Sequence, residues 1–336
     1  MPKTISEIAQ ATGYSRTTIT MVLKGRAEKY RISNQAQQAI LDYVEKNGGY
    51  TINQTARSLK TNKSHTIGFV VPDLSNAFFA HLIAYLEDLC RSEDLVLIST
   101  SSTEDPRLEI IAIQRMLARG VDGLIIAPCS SESLKEGIKS LPDIPLVAVD
   151  RHYPTLNVPL ISSDHRQSAS ILTRKIVEKG CSRIAFLCGH PENPSIADRI
   201  HSFGTITREA GMSEEDAYIL SAPSDSIAAG KELATELMEK SDNLPSAILC
   251  SSLLILEGAL QQIKIRNGKF PADLVIGTFD YDGLLELLPN YVFAIQQDEE
   301  KLAQSVFAIL QAQMKQKKKI EEKQFIDTRL VCINQD

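Results

Sequence analysis

Residues 4–25 read TISEIAQATGYSRTTITMVLKG, and this stretch decides how the chain begins. Thr4 and Glu7 stand three apart, ahead of apolar positions at Ile5, Ile8 and Ala9; this is the pattern of a capping box on a short helix. Gly13 is placed to end that helix and turn the chain at Tyr14. Ser15 then caps a second helix, Arg16 to about Leu23, whose Ile19, Val22 and Leu23 face inward. The β-branched run Thr17, Thr18, Ile19, Thr20 loses side-chain freedom in a helix, so stability alone does not account for it. Further on, Ser33 caps a third helix from Asn34 to about Lys46, with Ala36, Ala39, Ile40 and Val44 expected inside. Helix, tight turn, helix and a third helix make a helix-turn-helix domain.

The outward face of the second helix then carries Arg16, Thr17, Thr20 and Lys24, with Met21 at its edge. Short side chains let such a helix settle into a major groove. Arg16 can reach guanine O6 and N7, Thr17 a base edge or a thymine methyl, and Ser15 and Thr18 a phosphate. Thr4, at the start of the first helix, belongs to the same DNA-facing set.

Charge agrees. The whole chain has 336 residues and a net charge of −6, yet residues 1–63 hold ten Lys/Arg against four acids. A basic head on an acidic body marks the head as the part that meets a polyanion. The six Cys are scattered singly, mostly in apolar runs such as AFLCG and AILCS, which predicts reduced structural thiols rather than disulfides or metal ligands. MPKTISEIAQ has no apolar signal core and no apolar run reaches membrane-spanning length, so a cytoplasmic, nucleoid-associated protein is expected.

From His65 the pattern changes. TIGFVV, LVLIST, GLIIAP and PLVAVD are short apolar runs, each followed by a helical stretch, and RIAFLC, AYILSA, SAILCS and LVIGTF repeat the series. Such runs predict parallel sheets buried on both faces, in two similar α/β halves with a cleft at the carboxyl ends of the strands. YVFAIQQD and KQFIDTRLV are strand-like as well and suggest that the chain crosses back between the halves. Between head and body, TINQTARSLKTNKS has helix-favouring Ala56, Arg57, Leu59 and Lys60 but is too short to be helical alone, which suits a hinge that orders on docking. Leu59 would be exposed there, a candidate wedge for a minor-groove base step.

TISEIAQATGYSRTTITMVLKG, then GGYTINQTARSL, then HTIGFVVPDLSNAFFAHLI together resemble the LacI/GalR family of bacterial transcription regulators, along the whole chain. The resemblance implies base-reading roles for Arg16 and Thr17, and a hinge helix over Asn53–Lys60 in which Asn53, Ala56 and Leu59 meet DNA. Ile52 stands where the family usually has Pro, and Lys24 replaces a common Asn. The longer loop RAEKYR and the Arg16-Thr17-Thr18 triplet are similar to the branch of fructose and sucrose operon repressors. The body resembles periplasmic sugar-binding proteins.

The expected fold is therefore an all-α helix-turn-helix head plus an α/β periplasmic-binding-protein-like core of two doubly wound parallel-sheet lobes. Residues 1–52 form the head, 53–63 the hinge and 64–336 the effector-binding and dimerisation core. Within the core, one lobe takes about 64–163 and 294–323, the other about 164–293 and 324–336. Strand-end residues expected to line the cleft are Asp73, Ser75 and Asn76, Asp150 and Arg151, Ser252, Asp280 and Gln297, with Arg199 at the position the family uses for effector. Carboxylates accept from sugar hydroxyls while Arg and amides donate to them. Ser251-Ser252 replaces the Asn-Asp of most members, another likeness to the sucrose/fructose branch.

The expected partners are double-stranded operator DNA, a fructose-type sugar or sugar phosphate, and a second copy of the chain, with no metal, cofactor or membrane. The helix after FVVPDLSN is the expected dimer contact, and KQKKK (315–319) a solvated turn. No G-x-S-x-G, H-E-x-x-H, P-loop or G-x-G-x-x-G motif occurs, so an enzyme is not expected. The six His are dispersed; His165 and the pair Glu104-Asp105 read as helix-entry groups. A sugar receptor without DNA is the distant alternative. An activator or dual regulator of the same family shares every one of these features.

Overall fold

The computed structural model describes residues 3–50, 63–240, 244–316 and 322–334. Two compact units, Met1–His65 and Thr66–Asp336, divide the chain.

In the first unit, helices α1 (Ile5–Thr12), α2 (Arg16–Leu23) and α3 (Asn34–Lys46) surround Ile8, Ile19, Val22, Ala27 and Ile40. Both halves of the Thr4–Glu7 capping box form, and Gly13 closes α1 at φ 75°, a left-handed conformation that glycine adopts without strain. Ser15 and Ser33 cap α2 and α3 by accepting from the amides of Thr18 and Ala36. Lys3 donates its amide to the Gly49 carbonyl, tying the start of the unit to the end of α3. Ala39, expected inside, is exposed. The buried stripe of α3 runs narrowly through Ala36 and Ile40, and Ala27 from the longer loop fills the remaining space. The expected hinge contacts Asn53, Ala56 and Leu59 lie outside the described residues.

The second unit holds two six-stranded sheets. The first is built from β1 (Thr66–Val71), β2 (Val96–Ser101), β3 (Gly123–Ile126), β4 (Leu146–Val149), β5 (Leu160–Ser163) and β11 (Lys323–Ile326), in the order β2-β1-β3-β4-β5-β11, all parallel. Helices α4 (Ala77–Ser92) and α11 (Glu299–Gln316) cover one face, α5 (Pro106–Ala118) and α6 (Ser131–Gly137) the other.

The second sheet repeats the plan with β6 (Ile184–Cys188), β7 (Ala217–Ser221), β8 (Ala247–Cys250), β9 (Val275–Phe279), β10 (Val292–Gln296) and β12 (Arg329–Ile333), ordered β7-β6-β8-β9-β10-β12. Only the β10–β12 pair in it is antiparallel. Helices α7 (His165–Glu178) and α8 (Pro194–Glu209) lie on one face, α9 (Ile227–Lys240) and α10 (Leu253–Asn267) on the other. The inner strands are buried throughout, as continuous apolar runs require. The edge strands β2 and β7 are only half-buried because, among the described residues, no strand pairs with their outer sides.

Two lobe boundaries differ from the expectation. Strand β10 (Val292–Gln296) joins the second sheet rather than the first, so the return crossing falls after Gln296, not at 294. KQFIDTRLV is not one strand: Lys323–Ile326 pairs with β5 in the first sheet and Arg329–Ile333 with β10 in the second. The last crossing is therefore Asp327–Thr328, not 323/324. Among the described residues no helix is long and apolar enough to cross a membrane.

Candidate functional site

The matching sheet orders put equivalent strand ends opposite one another across a cleft of about 340 Å³, a size suited to a small molecule. Asp150 follows β4 and Asp280 follows β9, the same place in each lobe, and both adopt φ 68°. Asp tolerates this left-handed conformation better than most residues. Asn76 and Asn193 likewise cap the helices after β1 and β6, accepting from Phe78 and Ser195 amides.

The cleft floor is a continuous polar network. His165, the first residue of α7, is 5% exposed. Its Nε2 lies 3.1 Å from Asp150 Oδ1 and its Nδ1 3.2 Å from an Arg199 terminal nitrogen. Because a guanidinium only donates, Nδ1 must accept, which leaves the Nε2 hydrogen for Asp150. Arg199 also donates to the Ser251 carbonyl at 2.5 Å and stacks over the Phe279 ring at 4.1 Å. Gln297 donates from Nε2 to Asp280 at 2.6 Å and accepts from Ser163 Oγ at 2.6 Å, a direct link between the lobes.

Electrostatics separate the two symmetry-related aspartates. Burial works against ionisation of Asp150, but the His165 hydrogen bond and the charges of Arg151 and Arg199 hold its carboxyl below the usual range. Burial dominates at Asp280 and pushes its carboxyl up, as it does at Asp225. Arg151, buried to 4% exposure, donates to both oxygens of Glu104, at 2.8 and 2.5 Å. Its charged form is favoured by that bond in spite of burial. Glu109, fully buried on α5, fixes the turn behind it by accepting from the Cys129 amide and Ser133 hydroxyl, both at 2.5 Å.

Of the expected cleft residues, Asp73, Asn76, Asp150, Arg151, Arg199, Ser252, Asp280 and Gln297 line this space. Ser75 does not; its amide and hydroxyl bond back to Asp73. Sequence reasoning missed Glu104, Asp225, Ser195 and His165 in this network. Glu104 and Asp225 are each the first acid after an edge strand, a signal that the repeated lobe pattern offered. Asp105 does cap α5, as read, but its neighbour Glu104 turns to Arg151 instead. Gly189 leaves room for Asp225: a Cβ there would lie 2.7 Å from its Oδ1.

On the head, Arg16, Thr17 and Lys24 are exposed, with Thr18, Thr20 and Met21 half-buried. The Thr20 hydroxyl donates to the Arg16 carbonyl at 2.7 Å, and the Ser15 and Thr18 hydroxyls bond each other at 2.8 Å. Thr4 is held in its capping box with Glu7. Among the described residues no cluster of three His, Cys, Asp or Glu could hold a metal ion.

Residues 64–317 match the family described as periplasmic binding proteins and sugar binding domain of the LacI family. The chain is 29% identical over 310 residues to the sucrose operon repressor of Klebsiella pneumoniae, with 91% of each protein covered. It is 27% identical over 319 residues to the catabolite repressor/activator of Escherichia coli K12, covering 94% of this chain and 93% of that one. The Cra transcriptional dual regulator of Pseudomonas putida, solved with fructose 1-phosphate, superposes with a TM-score of 0.73 at 24% identity, covering 80% of this chain and 98% of its own. The lac repressor dimer bound to operator and the anti-inducer ONPF matches over 98% of each chain, with a TM-score of 0.80 at 19% identity.

Proposed function

Because the chain belongs to the family of periplasmic binding proteins and LacI-type sugar-binding domains, we propose that it is a sequence-specific repressor of sugar-utilisation genes. It works in the cytoplasm as a homodimer, one head per half of a pseudo-palindromic operator, and a fructose-type sugar, free or phosphorylated, releases it. The exposed face of α2 carries this reading: Arg16, Thr17 and Lys24 stand outward while Ile19 and Val22 are buried. Polar-out and apolar-in is common to surface helices; what favours a groove reader is the run of short β-branched Thr17, Thr18 and Thr20 beside Arg16 on the second helix of a basic three-helix unit.

Phosphate contacts from the basic head supply most of the affinity, and Arg16 with Thr17 supplies the base preference. Asn53, Ala56 and Leu59 are assigned to the hinge, with Leu59 wedging the central step of the operator. In the core, Arg199, Asp150 and Asp280 hold the sugar by paired donors and acceptors, supported by Asp73, Asn76, Arg151, Ser252 and Gln297. The dimer contact is assigned to α4. The sucrose operon repressor and the Cra complex with fructose 1-phosphate support a fructose-type effector.

Binding of the full chain to duplex fragments from its own gene neighbourhood tests the proposal. Arg16→Ala should cost about 1–3 kcal/mol on the cognate fragment and relax preference at one base pair. Equal losses on random DNA would reduce Arg16 to a phosphate contact. Arg199→Ala should keep DNA binding and lose release by sugar; release at unchanged sugar concentration would remove Arg199 from the pocket.

A further inference from the structure

Five carboxylates line the cleft, Asp73, Glu104, Asp150, Asp225 and Asp280, against two guanidiniums, Arg151 and Arg199. Both guanidiniums already have their terminal nitrogens engaged, while the Nε of each is buried without a hydrogen-bond partner. Arg199 is taken up by the Ser251 carbonyl, His165 and the Phe279 ring. Arg151 gives both terminal nitrogens to Glu104, and one of them also to the Pro128 carbonyl at 3.4 Å.

A two-pronged guanidinium–carboxylate pair has the geometry that a phosphate would otherwise use. Glu104 thus sits in the seat of an incoming phosphoryl group. The backbone there is unusual: Thr103 and Glu104 have φ 51° and 58°, an uncommon conformation for both residue types. The Glu104 side chain is 42% exposed while that of Arg151 is 5% exposed, so the acid is the outer, cleft-facing member of the pair. An arriving phosphate would have to displace Glu104 from the Arg151 fork beside the Asp73 and Asp150 carboxylates, while burial pushes Asp225 and Asp280 up and lessens their charge.

Resting on the reading of this cleft as a sugar site, we infer that it selects an uncharged sugar, and that Glu104 sets this choice by occupying the Arg151 fork. A sugar hydroxyl can donate to these carboxylates and accept from Gln297 or a serine; a phosphate monoester replaces one such hydroxyl with a group that cannot donate to a carboxylate when ionised and adds negative charge beside it. Glu104 is a specificity residue rather than a general support of the sugar ring.

Calorimetric titration of the full chain with free ketoses, aldoses and sucrose, each monosaccharide paired with its phosphate ester, tests the inference. The free sugar that binds should do so at least about thirtyfold more tightly than its phosphate. Glu104→Gln, which keeps the side-chain volume and frees the guanidinium charge, should reduce that ratio at least about tenfold. Loss of a purely structural brace would weaken both members of a pair alike and leave the ratio where it was, which would overturn the role of Glu104. If the variant does not fold, the wild-type ratio still decides the ligand class. A phosphate ester that binds wild type as tightly as its parent sugar overturns the inference while leaving the sugar site intact. No heat with any sugar or ester overturns the sugar site itself, and the inference with it.

Discussion

Asp280 is a carboxylate kept where ionisation is costly. It is 9% exposed, takes one direct hydrogen bond from Gln297, and burial raises it above the usual carboxylate range. A raised value means that the folded chain holds this proton more tightly than the unfolded chain. Its stabilising effect is therefore complete below the unfolded value and is lost as pH rises through the folded one. Asp280→Asn keeps an acceptor for Gln297 and removes the charge. The melting temperature at pH 7 should stay level or rise, the gain should shrink toward acid pH, and sugar affinity should fall at least about tenfold. A lower melting temperature at pH 7 would mean that the ionised form stabilises the fold. Asp150 has the opposite sign. Its depressed value gives stability that is present above the unfolded value and disappears as pH falls through the folded one. Asp150→Asn should accordingly lower the melting temperature at pH 7, by an amount that vanishes in acid; calorimetry at several pH values reads both variants.

At the scale of elements, α9 and α10 meet through two glycines. A Cβ at Gly258 would stand 2.1 Å from the Ile227 carbonyl oxygen, and one at Gly230 would stand 2.3 Å from that of Ile255. Alanine is the better helix former by about 1 kcal/mol, so an isolated helix would gain from Gly258→Ala. Here the backbone oxygen cannot move aside, and overpacking should win, with a net loss of roughly 1–3 kcal/mol in urea unfolding. A neutral or stabilising result would mean that the helices can part at little cost. No sequence pattern announced this contact, since a lone glycine in a helix has many causes. The caps at Thr4, Ser15 and Ser33 were legible because each is a local bond within three or four residues. The apolar strands were legible from their own continuous apolar runs, although their partners were not. The destinations of the last strands were not: β11 and β12 differ only in a pairing made with segments some 40–160 residues away. Glu104 shows the same limit in the site. Its sequence context is that of a helix entry, and only the folded sheet brings Arg151, 47 positions on, to its carboxylate.

For the whole molecule, the separation of charge sets up the last test. The head bears the positive excess and the sugar-binding body the negative one, so DNA affinity should fall steeply with salt while sugar affinity should barely change. That difference allows the two equilibria to be measured independently in one buffer series. If sugar raises the dissociation constant for operator by some factor, operator must raise that for sugar by the same factor, because both are legs of one thermodynamic cycle. A coupling of about 5–150-fold is the ordinary range for such systems. The factor should therefore agree when read from DNA release by sugar and from sugar titration with and without operator. Arg16→Ala should leave the sugar titration without DNA unchanged, since it alters only the reader, whereas Arg199→Ala should abolish the factor from both directions. A sugar affinity that is identical with and without bound operator, at a salt concentration where operator is saturated, would sever the body from the head and end the account of this chain as a sugar-controlled repressor.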